Sequence, residues 1–505
     1  MDFFPRLFWT LFGTASLCYF VINVALGYWK RRGILHEKPK KPWGHLKGVG
    51  RKRHISEVLQ TIYNKYKGQA PFVGFYALLK PMLLILDLES IHYILLKDSK
   101  YFMDRGLYYN IQDDYLSQNQ LQMDGPDWQH LHLKLKSLQW QEKIQNMLPA
   151  LLKVQQTFSN SLREKVTKSQ NKLNINITEL VEGYNIDCIS SLAFGLEGDS
   201  VRYRNTQFHT MCKSYIKSNF NVFKAYLAFC FPSLARLVQY YMYSPKASQY
   251  FQKLISDKLN EREYQHTQPL QYDFLQLWCD SRKISQRNQI FKKLDNQEIV
   301  GQAFSFILAG LESSSSTLAC CLYELALQPE IQDKARREIR EVLSKHKDNL
   351  NETVLKELVY LKQILNETLR KHTPYPFLLR LTTKDYELPD SVFMLREGNH
   401  LIIPTSAIHH DAMYYSNPDK FDPEHFHSKQ SEKRPVGAFL PYGMGPRACV
   451  AQHFAQQQML VCLVTLLQHY EFTPCAETTI PLTYDNSKLM KKPKNDIWLT
   501  ITSVR

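Results

Sequence analysis

The run from Leu440 to Ala451 restricts the fold more than any other part of this 505-residue chain. It places Gly443, Gly445 and Pro446 in a turn-rich loop, Arg447 behind them, and Cys449 at the mouth of an apolar segment over about residues 449–469. A helix beginning there would point unpaired N–H groups at the thiol and draw it toward thiolate. Such a thiolate can be a nucleophile, a redox thiol or an axial ligand to haem iron. Cys449 has no partner at CxxC spacing, which argues against the redox reading. An arbitrary cysteine is most often a buried structural residue. Glycines, a proline and an arginine at fixed offsets favour the ligand.

The chain is long enough to bury a large core, and its 44% apolar content excludes wholesale disorder. Its ten cysteines form neither a disulfide framework nor a zinc spacing, which suits a reducing compartment. The net charge of +15 is not gathered into one arm or stripe. A membrane surface or an acidic protein therefore explains it as well as nucleic acid would.

Residues 7–29 carry no charged side chain, and Lys30, Arg31 and Arg32 follow at once. At about 1.5 Å per residue such a helix spans roughly 30 Å of hydrocarbon. The basic cluster after it predicts an uncleaved anchor with the rest of the protein on the cytoplasmic side. The expected division is a membrane anchor over 1–32, a basic, proline-containing linker over 33–53, and one domain over 54–505.

Beyond the linker, residues 54–66 are patterned as a helix. Residues 72–76 and 82–87 are patterned as strands about a turn at Leu79-Lys80-Pro81. Helix follows helix from 88 to 343, and short strands return over 377–403 and near the C-terminus. The expected fold class is mainly α with small β-sheets (α+β). Aromatic and aliphatic residues over 220–242 read as core helices or as an apolar lid against a bilayer.

Three further constellations carry chemistry. Glu312 and Ser313 put an acid and an alcohol inside an apolar helix over about 297–328, beside a helix-weakening Gly310. In isolation, a serine bonding back to a carbonyl is the simpler reading. Glu367 and Arg370 lie at i and i+3, where they can pair on one face. Trp128 and His132 lie one helical turn apart, and the indole can donate to a carboxylate.

Together these motifs resemble those of the cytochrome P-450 superfamily, in order and in spacing. Tyr442, Gly445, Arg447, Cys449 and Ala451 match its haem loop, with Tyr442 for phenylalanine and Ala451 for glycine. Ala309 to Ser313 matches the oxygen-activating motif, with Ser313 for threonine. Glu367 to Arg370 matches ExxR, and His425 stands where the triad has a second arginine. Trp128 to His132 matches WxxxR, with His132 for arginine. Segments 104–114, 193–197 and 385–409 resemble insect microsomal members of the drug- and toxin-metabolising branch.

The resemblance implies that Cys449 ligates the iron of heme b and that Arg447, Arg380, Trp128 and His132 hold its propionates. Tyr442 and Gly445 shape the loop, Glu312 and Ser313 relay protons, and residues 101–123 roof the pocket. It implies a monooxygenase in the endoplasmic reticulum membrane acting on a lipophilic substrate and dioxygen. NADPH–cytochrome P-450 reductase would supply electrons, with cytochrome b5 as a second donor. The rivals are a haem-thiolate isomerase or dehydratase, and a degenerate haem- or lipophile-binding protein, which the substitutions at 132, 313 and 425 bring into view.

Overall fold

The computed structural model describes residues 3–110, 114–137, 147–204, 206–217, 222–264, 273–280, 295–389 and 393–504. Parts of two expected features, the roof at 111–113 and the lid at 220–221, lie outside the described residues. Among the described residues the fold is mainly helical with three small sheets, the smallest pairing β5 (Tyr386–Glu387) with β6 (Met394–Leu395). The first helix, α1 (Phe3–Leu26), is apolar and long enough to cross a membrane, and of Leu7–Leu26 only Leu26 is buried.

The apolar run does not continue into the bilayer as far as residue 29. Trp29 is fully buried against the first sheet, donating through Nε1 to the Phe75 carbonyl at 3.1 Å. Gly74 makes room for it, since a Cβ there would lie 2.6 Å from the indole. Segment 33–53 runs along the same sheet, bridging His36 to Gly74 and Gly44 to Ala77. Ile34 and Leu46 enter the core beside it.

That sheet has the order β1-β2-β7-β4. Strands β1 (Phe72–Ala77) and β2 (Lys80–Ile85) form a hairpin turned by Leu78 and Leu79, so Lys80 and Pro81 belong to the strand and not to the turn. Strand β7 (His400–Ile403) joins β2 in parallel, and β4 (Leu378–Leu381) pairs antiparallel with β7. A second sheet, absent from the sequence reading in its first strand, has β9 (Trp498–Ser503) between β3 (Lys172–Asn176) and β8 (Tyr470–Pro474). Residues Lys172 to Asn176 do alternate polar and apolar, but β3 is short and lies between two long helices, where the sequence reading ran helix into helix.

Helix α2 (Ile55–Tyr66) begins at a capping box of His54 and Glu57. Helix α3 (Gly125–Ser137) carries Trp128, and α4 (Leu148–Lys168) and α5 (Ile177–Phe194) follow. The central α6 (Asn296–Leu327) is capped by Asp295 with Glu298 and buried along much of its length. Its burial makes it a core helix despite an apolar composition that would also suit a membrane. Helices α7 (Val359–Lys371) and α8 (Gln452–His469) complete the core.

A polar clamp joins three of these helices inside the apolar core. Asn185 of α5 donates to Ser315 of α6 at 2.7 Å, and Gln458 of α8 donates to Asn185. Every group finds a partner, so the network fixes relative position at little cost.

Asp187 of α5 is less comfortable. It accepts from the Ser200 hydroxyl at 2.6 Å and the Ser200 N–H at 2.8 Å, yet burial pushes its carboxyl up to about 6. A carboxyl raised on folding stays protonated after the unfolded chain has ionised, so its contribution falls as pH rises from about 4 to 6. Two units correspond to about 3 kcal/mol. Asp187→Asn should therefore gain in thermal stability over the parent above pH 6, with the advantage vanishing near pH 4. Melting curves across that range decide it.

Candidate functional site

The ExxR pair organises the approach to the site. Arg370 donates through Nε and Nη2 to the two Glu367 oxygens, both at 2.7 Å, and both side chains are fully buried. The remaining Arg370 donors reach the carbonyls of His409 at 2.9 Å and Lys420 at 3.2 Å. Glu367 also accepts the Asp422 N–H at 2.8 Å. His425 stands third, with Nδ1 at 3.2 Å from Glu367 and Nε2 at 2.7 Å from the Ser416 carbonyl. The ring thus bridges the Glu367 carboxylate and the Ser416 carbonyl.

From this pair the chain of contacts runs to the cysteine loop. His409 Nε2 accepts the Leu440 N–H at 2.8 Å, which leaves Nδ1–H to donate to Thr373 at 2.8 Å. The loop then closes on itself through Cys449 N–H to the Tyr442 carbonyl at 2.8 Å. Gly443 and Gly445 both hold positive φ, at 71° and 78°. At Gly445 a Cβ would lie 1.8 Å from the Leu95 carbonyl, so only glycine lets the loop dock.

Helix α8 starts at Gln452 with Ala451 as its N-cap, so Cys449 precedes the helix and does not open it. The Ala451 N–H still points at the sulfur. It and the Arg105 charge favour the thiolate, but burial outweighs them and pushes the thiol up. A thiolate here thus depends on a bound cation more than on the helix. Although protein crowds around it, the Cys449 side chain is exposed, and it lines a cavity of about 470 Å³.

The cavity is lined mostly by apolar side chains from β1, α5, α6, β4 and α8. Leu107, Tyr108 and Leu121 roof it, and Ala225, Tyr226 and Phe229 close it from the helix Val222–Cys230. Ser313 faces it with its hydroxyl donated to the Ala309 carbonyl at 2.6 Å, the back-bonded state. Glu312 is turned away and ion-pairs with Lys492 at 2.7 Å.

Three guanidiniums converge on one end of the cavity. Arg447 donates to the carbonyls of Met103, Gln120 and Met123 and to Asp124, and lies 3.7 Å over the Trp128 ring. Arg380 and Arg447 are both pulled down to about 9, by burial first and then by the Arg105 charge beside them. Arg105 is the residue sequence reasoning missed, since a single arginine in a loop carries no spacing signal. Trp128 Nε1 is buried and without a partner, and the Trp128 and His132 rings stack at 4.8 Å. An excess of buried positive charge beside an unused N–H donor fits the two carboxylates of a haem whose iron would face Cys449.

Gly445→Ala should lower thermal stability by more than the roughly 1–2 kcal/mol of left-handed strain alone. Gly443→Ala, where the nearest atom is 3.8 Å away, supplies the strain-only comparison. Equal losses in the two variants would mean that the Leu95 contact does not limit docking.

Comparison with known proteins agrees with this geometry. The family model described as Cytochrome P450 matches residues 36–500. Probable cytochrome P450 6u1 of Drosophila melanogaster is 46% identical over 505 residues, covering 100% of this chain and 99% of that one. Probable cytochrome P450 6a18 of the same fly is 34% identical, with 99% of each chain covered. Cytochrome P450 6A1 of Musca domestica is 34% identical, covering 100% of this chain and 99% of its own. The chain belongs to the cytochrome P450 family, a monooxygenase family whose cofactor is a thiolate-ligated haem.

Proposed function

We propose that this chain is a membrane-anchored monooxygenase that inserts one atom of dioxygen into a lipophilic substrate, xenobiotic or endogenous. The observation that carries the reading is a thiol that lines an apolar cavity in whose wall three arginines also gather. When bound, the haem supplies the activation of dioxygen, to which the thiolate contributes electron density.

Cys449 is the axial ligand in this proposal, steadied by the Ala451 N–H. Arg105, Arg380, Arg447 and the Trp128 indole hold the propionates, with His132 stacked behind. Tyr442 and Gly445 would shape the loop that presents Cys449 to the haem. Glu312 and Ser313 deliver protons from solvent to the oxygen-binding side. The apolar lining selects greasy substrates and excludes bulk water.

The proposed domains are an anchor over 1–32, a strap over 33–53 and a catalytic body over 54–505. Leu234, Leu237 and Val238, exposed on the helix Pro232–Leu237 and just after it, would dip into the same bilayer. The basic cluster after α1 supports a body on the cytoplasmic side of the membrane, which in this proposal is that of the endoplasmic reticulum. Electrons would come from NADPH through its reductase, with cytochrome b5 as a second donor. Docking of an acidic reductase on a basic face should weaken with salt.

The deciding measurement is the carbon-monoxide difference spectrum of the reduced, membrane-expressed protein beside a Cys449→Ala control. A strongly red-shifted Soret band lost in the control is the expected result. Absence of any haem signal from folded protein would sink the proposal. His132→Arg should raise haem occupancy and Ser313→Thr should raise product formed per NADPH consumed. Unchanged values would show that these substitutions do not limit this chain.

A further inference from the structure

Glu312 and Ser313 are neighbours in sequence, yet the helix turns them to different surroundings. Ser313 lines the cavity, as do Ala309 and Gly310, whereas the Glu312 carboxylate points toward the loop that precedes the last strand. There Lys492 Nζ lies 2.7 Å from Oε1, with Glu312 about one-quarter exposed. The contact is an ion pair without a well-directed hydrogen bond, because Oε1 has no partner at hydrogen-bonding angles. An ammonium ion on a flexible stem can hold such a charge and also release it.

The loop that carries Lys492 is itself firmly based. Tyr484 and Pro493 bridge its two limbs, Asp485 N–H donates to the Lys492 carbonyl at 2.9 Å, and Lys494 N–H donates to Thr483 at 2.8 Å. Its base is tied to the core through the Tyr484 hydroxyl and His372 Nδ1 at 2.7 Å. His372 Nε2 in turn meets Glu324 of α6, also at 2.7 Å. Lys488, in the tip, feels the Glu312 charge as well, although burial is the larger influence and lowers it. The same helix that carries the acid therefore anchors the loop that restrains it.

We propose that Lys492 is a positioning residue for Glu312, holding the carboxylate outside the cavity and away from the Ser313 hydroxyl. The inference rests on the proposed reading of Glu312 and Ser313 as the proton-delivering pair. Restraint of the acid limits futile reduction, in which NADPH supplies electrons, solvent supplies protons through Glu312, and dioxygen leaves as water with no substrate oxidised. Removing the lysine charge frees the acid.

The test uses the full-length, haem-loaded protein with reductase and NADPH and no added substrate. Lys492→Gln should raise NADPH oxidation several-fold and shift dioxygen from hydrogen peroxide toward water, while Lys492→Arg should restore parental behaviour. A second readout is thermal unfolding of Glu312→Gln, Lys492→Gln and the double variant. A real pair makes the double loss smaller than the sum. Parental NADPH oxidation in Lys492→Gln, with Glu312→Gln altering the peroxide-to-water partition, would overturn the positioning role alone. An unchanged partition in Glu312→Gln would overturn the proton-delivery reading beneath it.

Discussion

A buried ion pair stands under the whole haem-side architecture. Glu367 and Arg370 have no contact with water, so each charge must be met by the other and by fixed dipoles. Their bidentate contact uses part of the guanidinium, and the His409 and Lys420 carbonyls take the rest. The His409 carbonyl ends the short buried helix Thr405–His409, and that of Lys420 lies in the irregular chain beyond it. The pair therefore converts an electrostatic demand into position: His409 is placed, its ring receives Leu440, and the cysteine loop starts from a defined point. An apolar replacement could fill the space but could not dictate where two distant loops meet.

The arginine end of the cavity obeys the opposite logic. Arg105, Arg380 and Arg447 repel one another in a desolvated corner, and Asp104 and Asp124 offset them only in part. Burial even raises the Asp124 carboxyl, against the pull of the Arg105 N–H and the Arg447 charge. Such a corner is costly by itself and favourable around an anion. Where ExxR is satisfied within the chain, this cluster is completed by what it binds.

Much of this was legible before any coordinates, for a physical reason. A cysteine loop needs glycine where φ is positive and where the Leu95 carbonyl comes within collision range, and those requirements leave fixed letters at fixed spacings. The apolar N-terminal helix and the central helix were readable from their composition, and Glu367 and Arg370 as a pair from their spacing, whereas the role of that pair came from the family resemblance. What escaped depended on contacts between segments far apart. Arg105 joins the site only because loop 101–110 folds over Arg447, and Lys492 meets Glu312 across 180 residues of chain. Ala451 as the N-cap moved the helix start past Cys449, a boundary that composition alone does not mark. Strand β3 has the alternation of a strand, but its short span stands out only once β9 pairs with it.

Trp29 gives the N-terminal helix a rigid coupling. The indole is sealed against Gly74 and Phe75 only three residues beyond the end of α1, and the strap that follows is bridged to the same strand. A flexible leash would let a body wander and roll at the end of its tether. Here the helix axis and the first sheet share one joint, so tilt at one is felt as tilt at the other. With that helix in a bilayer, as proposed, changing its length would alter the height and attitude of the cavity's mouth, with no change to a single residue that lines it.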